Sequence, residues 1–210
     1  MLMGGYTPLI RFKGFEDEWM TIKLCDISKK VIEKNATSVC QDVFTNSAEF
    51  GVINQRDFFD HDVANVDNIQ GYYIVRPNDY VYNPRISTTA PVGPINRNKL
   101  GCCGVMSPLY YVFRVEKQSD GILHFLDYYF KSNMWHDFMF KNGNSGARSD
   151  RFSISDSTFS LMPILYPQKE EEQLNIGQVF INMEKLMRTE SIKLSKFRSM
   201  KQSLLQKMFV

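Results

Sequence analysis

Histidine and cysteine are scarce in this chain of 210 residues, three and four respectively. His61, His124 and His136 are scattered, and Cys25, Cys40, Cys102 and Cys103 form no C-x-x-C pair, so a zinc site is not expected. The expectation is instead of reduced thiols in a cytoplasmic protein. No apolar run approaches the length of a membrane span. Met1 to Phe12 lacks the charged n-region and apolar h-region of a secretory leader. There is no P-loop, and no serine or cysteine sits in a nucleophile elbow. A DNA amino-methyltransferase would need a glycine-rich cofactor loop and an Asn/Asp-Pro-Pro-aromatic motif for the extruded base. Here Gly101-Cys102-Cys103-Gly104 lies within a strand pattern, and Asn83-Pro84-Arg85 lacks the second proline and the aromatic. A metal-dependent nuclease needs clustered carboxylates. Glu16-Asp17-Glu18 reads as a surface charge run, and Asp57, Asp60 and Asp62 around His61 have no Glu-x-Lys after them. No catalytic residue, metal or bound cofactor is therefore expected, and the chain reads as a binding module. A net charge of +2 does not by itself announce a nucleic-acid partner.

Proline is also missing from residues 168–210, and Gly177 is the only glycine there. The stretch follows Pro163 and Pro167, and its first acids, Glu170, Glu171 and Glu172, suit the partly positive start of a helix. Apolar residues then recur at three- and four-residue steps: Ile176, Phe180, Met183, Met187, Leu194, Phe197, Leu204 and Met208. Glu190 and Lys201 interrupt the seam. A helix of this extent is roughly 60 Å long, and its apolar stripe needs another helix beside it. From Lys185 to Lys207 seven basic residues stand against Glu190 alone. Such a face is either solvated or suited to an acidic partner or DNA.

Residues 1–167 read differently. Aromatics are plentiful, 16 Phe and 10 Tyr, and the 43% hydrophobic share is enough for a packed core. Phe12, Phe15 and Trp19 anchor an extended N-terminal arm, and Ile22 to Val31 suggests a short helix or strand. Strands are expected over Val43 to Ile53 with a break near Ser47, Tyr72 to Arg76, Tyr80 to Tyr82, Gly101 to Met106, Tyr110 to Val115 and Phe159 to Leu165. Pro77-Asn78-Asp79 marks a turn, and Pro91, Gly93 and Pro94 a loop. Gly121 to Lys131 and Ser132 to Lys141 look helical, with Ile122, Phe125, Leu126 and Tyr129 on one face. The expected fold is α+β: a β-rich domain over 1–167, then one long helix over 168–210 that pairs as an antiparallel coiled coil.

Several stretches together resemble the specificity subunit of type I restriction-modification systems. Pro8-x-x-Arg11-Phe12-x-Gly14-Phe15-x-x-x-Trp19, with Lys23-Leu24, is similar to the beginning of a target recognition domain in that family. So are Gly51 to Asp57, Asp79 to Ile86, Gly93-Pro94-Ile95, Gly101 to Tyr110, Gly146 to Ser149 and Pro163-Ile164-x-x-Pro167 to later parts of it. Glu172-Gln173-x-x-Ile176-Gly177 resembles the start of the family's long helix, and Lys201 to Phe209 its end. The resemblance spans nearly the whole chain, each motif being weak alone and their order more specific. It implies a non-catalytic subunit that reads one half of a split double-stranded DNA target. It also implies methyltransferase subunits that carry S-adenosylmethionine, and a restriction subunit that joins for cleavage. The family's usual subunit has two recognition domains and two long helices; this chain has one of each, which implies half a subunit, either the product of a split or truncated gene or a half that pairs with a second copy through the helix.

Reading base edges needs Arg, Lys, Asn or Gln on an exposed edge, and phosphate contacts fix the register. Three loops supply such residues: Gln55 and Arg56; Asn83, Arg85 and Ser87, continuing to Arg97, Asn98 and Lys99; and Arg148 and Arg151. Gln55 and Arg85 have the chemistry for bidentate contacts to adenine and guanine, and Arg148 and Lys99 that for phosphates. The plainer alternatives are a core-edge ion pair for Arg85 and a solvated loop for Arg97 to Lys99. A different class of function is also open: an assembly or regulatory protein that uses the long helix on a partner without reading DNA.

Overall fold

The computed structural model describes residues 5–57, 66–145 and 150–209. The N-terminal arm leads into β1 (Met20–Lys23), a single helical turn α1 (Leu24–Ile27) and β2 (Ser28–Lys30). The stretch read as helix or strand thus holds both. The expected break near Ser47 is a full reversal: β3 (Phe44–Ser47) and β4 (Gly51–Asn54) form a hairpin. The Ser47 hydroxyl accepts from the backbone of Glu49 and Phe50, and Gly51 supplies a φ of +73°. Then follow β5 (Tyr73–Val75), β6 (Tyr80–Tyr82), β7 (Ile95–Arg97), β8 (Gly104–Met106) and β9 (Tyr111–Val115). Strand β7 departs from the sequence reading, which placed Arg97 in a loop.

An antiparallel sheet runs β2–β9–β6–β7 and is covered on both faces. Alternation assigns the layers. Tyr80, Tyr82, Tyr111 and Phe113 point one way into the larger core, with Leu24, Leu126, Phe159 and Ile164. Val81 and Val112 point the other way, into a second cluster with Phe44, Val52, Val75 and Met106. Tyr80 and Phe113 are register partners, and their rings stack 5.4 Å apart.

Beyond the sheet come α2 (Asp120–Tyr129), α3 (His136–Asn142), β10 (Asn144–Ser145), β11 (Phe152–Ser153), α4 (Asp156–Ser160) and β12 (Pro163–Tyr166). Ser119 caps α2, its hydroxyl accepting from Ile122 N. The strand expected over Phe159 to Leu165 begins only at Pro163, because Phe159 and Ser160 end α4, which Ser155 caps through Thr158 N. Strand β12 pairs with β1, which brings the N-terminal arm beside the start of the long helix α5 (Glu170–Met208).

Among the described residues, helix α5 is tied down at its beginning only. Glu172, 1% exposed, accepts two hydrogen bonds from Arg11 (2.7 and 2.9 Å) and one from the Trp19 indole (3.1 Å). Buried Gln173 donates to Pro167 O at 2.8 Å. Helix α2 crosses so closely that a Cβ on Gly177 would lie 2.3 Å from the His124 Cβ. Phe180 stacks on Tyr128 at 4.9 Å, and Glu184 receives Lys131 (2.6 Å) and the Tyr128 hydroxyl (3.0 Å). The Lys131 and Tyr128 bonds outweigh the cost of burial and hold the Glu184 carboxyl below its usual range. Two residues of the expected seam are therefore partly covered by their own chain: Phe180, and Ile176, which packs against the larger core. From 182 to 209 every residue is exposed, Met183, Met187, Leu194, Phe197, Leu204 and Met208 among them.

The expectation of reduced thiols needs correcting at two positions. Cys40 and Cys103 are bonded, with Cα atoms 6.1 Å apart. The backbone brings them together: Val43 and Val105 form a parallel bridge, and Val105 N donates to Asp42 O at 2.8 Å. Cys25 and Cys102 are free and exposed. Among the described residues no helix is long and apolar enough to cross a membrane, and no His/Cys/Asp/Glu group could hold a metal ion.

Candidate nucleic-acid interface

Of the expected DNA-reading residues, four meet in one groove. A cavity of about 330 Å³ lies between the β3–β4 hairpin, the loop after β6 and the stretch before β11. Asn83, Arg85, Ser87 and Arg151 line it, with Thr45, Asn46 and Tyr110. Among the described residues, no carboxylate lines it. A second cavity of about 290 Å³ shares Pro84, Leu109, Tyr110 and Arg151 and extends the groove toward the Lys30–Asp156 ion pair.

The loop is held from below by amides. Asn46, almost fully buried, donates to Val81 O (2.7 Å) and Pro94 O (3.1 Å) and accepts from Asn96 (2.8 Å). The Asn83 carboxamide donates to Asn46 O at 2.8 Å and accepts from Arg85 N at 3.0 Å. Gly93, at φ +85°, lets this loop close: a Cβ there would lie 2.1 Å from Asn83 O. The Asn83 side chain thus shapes the loop from within the groove lining.

Arg85 and Arg151 face each other across an isolated antiparallel bridge. The flanking bonds, Ile86 N to Asp150 O (3.0 Å) and Phe152 N to Pro84 O (2.7 Å), make them a non-hydrogen-bonded pair. In that geometry the Cβ atoms stand roughly 4.5–5.5 Å apart, on the same face. Both residues are exposed, and neither has a carboxylate partner among the described residues. Like charges opposite one another are unfavourable by themselves, and an anion between them removes the repulsion. Ser87 adds a hydroxyl at the rim, shared with Thr89 at 3.3 Å, and the Tyr110 hydroxyl reaches Thr45 at 3.0 Å.

The remaining expected residues lie elsewhere. Arg97, on β7, makes a bidentate pair with Asp127 of α2 (3.0 and 2.7 Å) and donates to Asn78 at 2.8 Å. Burial opposes the Arg97 charge, but Asp127 outweighs it and keeps the guanidinium pKa raised. Lys99 pairs with the same carboxylate at 2.7 Å. Asn98 is wholly buried and holds its own turn, donating to Cys102 O at 3.0 Å and accepting from Leu100 N at 3.0 Å. These three gather around Asp127 and the Asn98 turn and do not line the groove, so the second expected loop is divided: Asn83, Arg85 and Ser87 reach the groove and Arg97, Asn98 and Lys99 do not. Gln55 is half-buried beneath Phe44 O, its Oε1 without a hydrogen-bond partner among the described residues, and Arg56 is exposed beside it. Arg148 lies outside the described residues. Sequence reasoning missed Thr45, Asn46 and Tyr110. The one available signal was Asn46 itself, a polar residue at an inward position of a strand.

No family model matches the sequence, and no curated protein matches it. Among solved structures, a chain from a study of complex assembly and conformational transition of the type I R-M system matches with a TM-score of 0.56 and 12% identity. The match covers 90% of this chain and 47% of that one. The HsdS subunit from Thermoanaerobacter tengcongensis matches with a TM-score of 0.48 and 14% identity, over 87% of this chain and 41% of that one. The chain thus spans about half the length of the solved chains it matches, and it shares the fold of a chain from a type I R-M system.

Proposed function

We propose that this chain is a half-length specificity subunit of a type I restriction-modification complex, working in the cytoplasm and without catalysis of its own. It reads one half of a bipartite DNA target with the groove around Arg85 and Arg151. Its long helix pairs with that of a second copy, so that two recognition domains address an interrupted palindrome. Methyltransferase subunits carry S-adenosylmethionine and are directed by it, and a restriction subunit joins the same assembly. The observation that carries this reading is the cross-strand pair of arginines, held on one face without a carboxylate partner among the described residues. The shared fold supports it.

The test is DNA binding in the presence of the methyltransferase partner, on cognate and scrambled duplexes across a salt series. Arg85→Ala should weaken the cognate site by about 1–3 kcal/mol and relax preference at one base pair. Arg151→Ala should weaken all sequences alike and flatten the salt dependence by about one unit of slope. If neither substitution changes binding, the groove is not the DNA interface, and the basic end of α5 becomes the place to look for DNA.

A further inference from the structure

The free part of the helix seam specifies how two copies pair, an inference that rests on the self-association proposed above. The seam open to a partner begins at Met183, because Ile176 and Phe180 are partly taken up by the helix's own domain. It runs to Met208, and within it only Glu190 and Lys201 are charged. Both are exposed. Glu190 makes one surface pair, with Lys193 at 2.8 Å, where both side chains stay more than half exposed.

We propose that α5 pairs antiparallel with α5 of a second copy about a two-fold axis between Ser195 and Lys196, which sets Glu190 against Lys201 of the second copy. In this register Met183 meets Met208, Met187 meets Leu204, and Leu194 meets Phe197, each across the axis. Charge selects it. The two seam charges are opposite in sign, and two-fold symmetry makes the contact twice, once on either side of the central Leu194–Phe197 layers. A shift of one heptad toward the domains would set Glu190 against Leu194 and Lys201 against Met183, leaving four unpaired charges in the seam. A parallel pair would set Glu190 against Glu190 and Lys201 against Lys201. A second copy is therefore the occupant that the seam complements. The register also fixes a distance. The two Gly177 positions, where each helix crosses its own α2, are roughly 55 Å apart along the pair, and a one-heptad shift would change that by roughly 10 Å, or three base pairs.

The test is a charge exchange read by sedimentation equilibrium of the full chain, with circular dichroism as the check on folding. Glu190→Lys and Lys201→Glu should each raise the dimer dissociation constant by about 30-fold or more, and the doubly exchanged chain should return to within about threefold of the parent. In a background of Cys25→Ser and Cys102→Ser, a mixture of Glu190→Cys and Lys201→Cys chains should cross-link on mild oxidation. A dimer in which the double exchange gives no rescue overturns the register while leaving self-pairing in place. Cross-linking of Glu190→Cys to Leu194→Cys chains in preference overturns it in favour of the shifted one. A monomer at all concentrations, with DNA binding intact in the methyltransferase complex, overturns the pairing and leaves the DNA-reading role standing.

Discussion

Replacing Asp127 with alanine separates a structural role for Arg97 and Lys99 from a DNA-reading one. Its carboxylate is 5% exposed and accepts from Arg97, Lys99 and the Tyr80 hydroxyl. Asp127→Ala leaves the Arg97 guanidinium, 11% exposed, without its bidentate partner, and a fully buried phenol with only Leu123 O as acceptor. Removing one member of a buried pair typically costs about 3–5 kcal/mol. Two features lower that figure: Arg97 keeps Asn78 as an acceptor, and Lys99, 56% exposed, returns to water at little cost. About 2–4 kcal/mol is then expected, or roughly 5–15 °C in Tm for a chain of this size. Arg97→Ala should destabilise through the same pair, and the double substitution should cost less than the two single effects added, because no buried charge is left over. Thermal unfolding of the three variants measures this, alongside DNA preference at a temperature where all remain folded. A chain with Arg97→Ala that keeps its Tm but loses preference at one base pair would refute the reasoning and return Arg97 to the DNA interface.

Further outcomes follow from particular contacts. Gly177→Ala, which in an open helix would stabilise by about 1 kcal/mol, should here destabilise by roughly 1–3 kcal/mol, because its Cβ would collide with His124. Denaturant unfolding gives the sign. Alkylation of the native chain should modify Cys25 and Cys102 only, and all four cysteines after reduction and unfolding, as counted by mass. His136 is held below its ordinary value of 6.5 by burial, against the opposing charge of Asp137. The unfolded chain then binds the extra proton first as pH falls, so this contribution to stability is complete above pH 6.5 and is lost as pH drops toward the folded-state value. A Tm series over that window should lose part of its slope in His136→Gln.

Legibility in the sequence followed the range of the interactions. The long helix could be read because its signal is local: a three-four repeat carried for ten turns, with no proline to break it. The motif at its start was recognisable as a string, but its reasons are contacts far away in sequence. Glu172 answers Arg11 and Trp19, Gln173 closes onto Pro167, and Gly177 makes room for His124. The loops carrying Arg85 and Arg97 were legible as chemistry and not as geometry. Arg85 and Arg97 are the same residue type in neighbouring polar stretches, yet one faces a groove and the other a buried carboxylate on α2. What separates them is strand β7, too short to show a period, and Asp127, whose place on the mostly apolar side of α2 was the only trace of a cation to come. Cys40 and Cys103 make the same point, since a spacing of 63 residues says nothing of the bridge between Val43 and Val105 that brings them together. The facing of Arg85 and Arg151 is of this kind as well. Each is an ordinary surface cation by sequence, and only the bridge sets the two side by side.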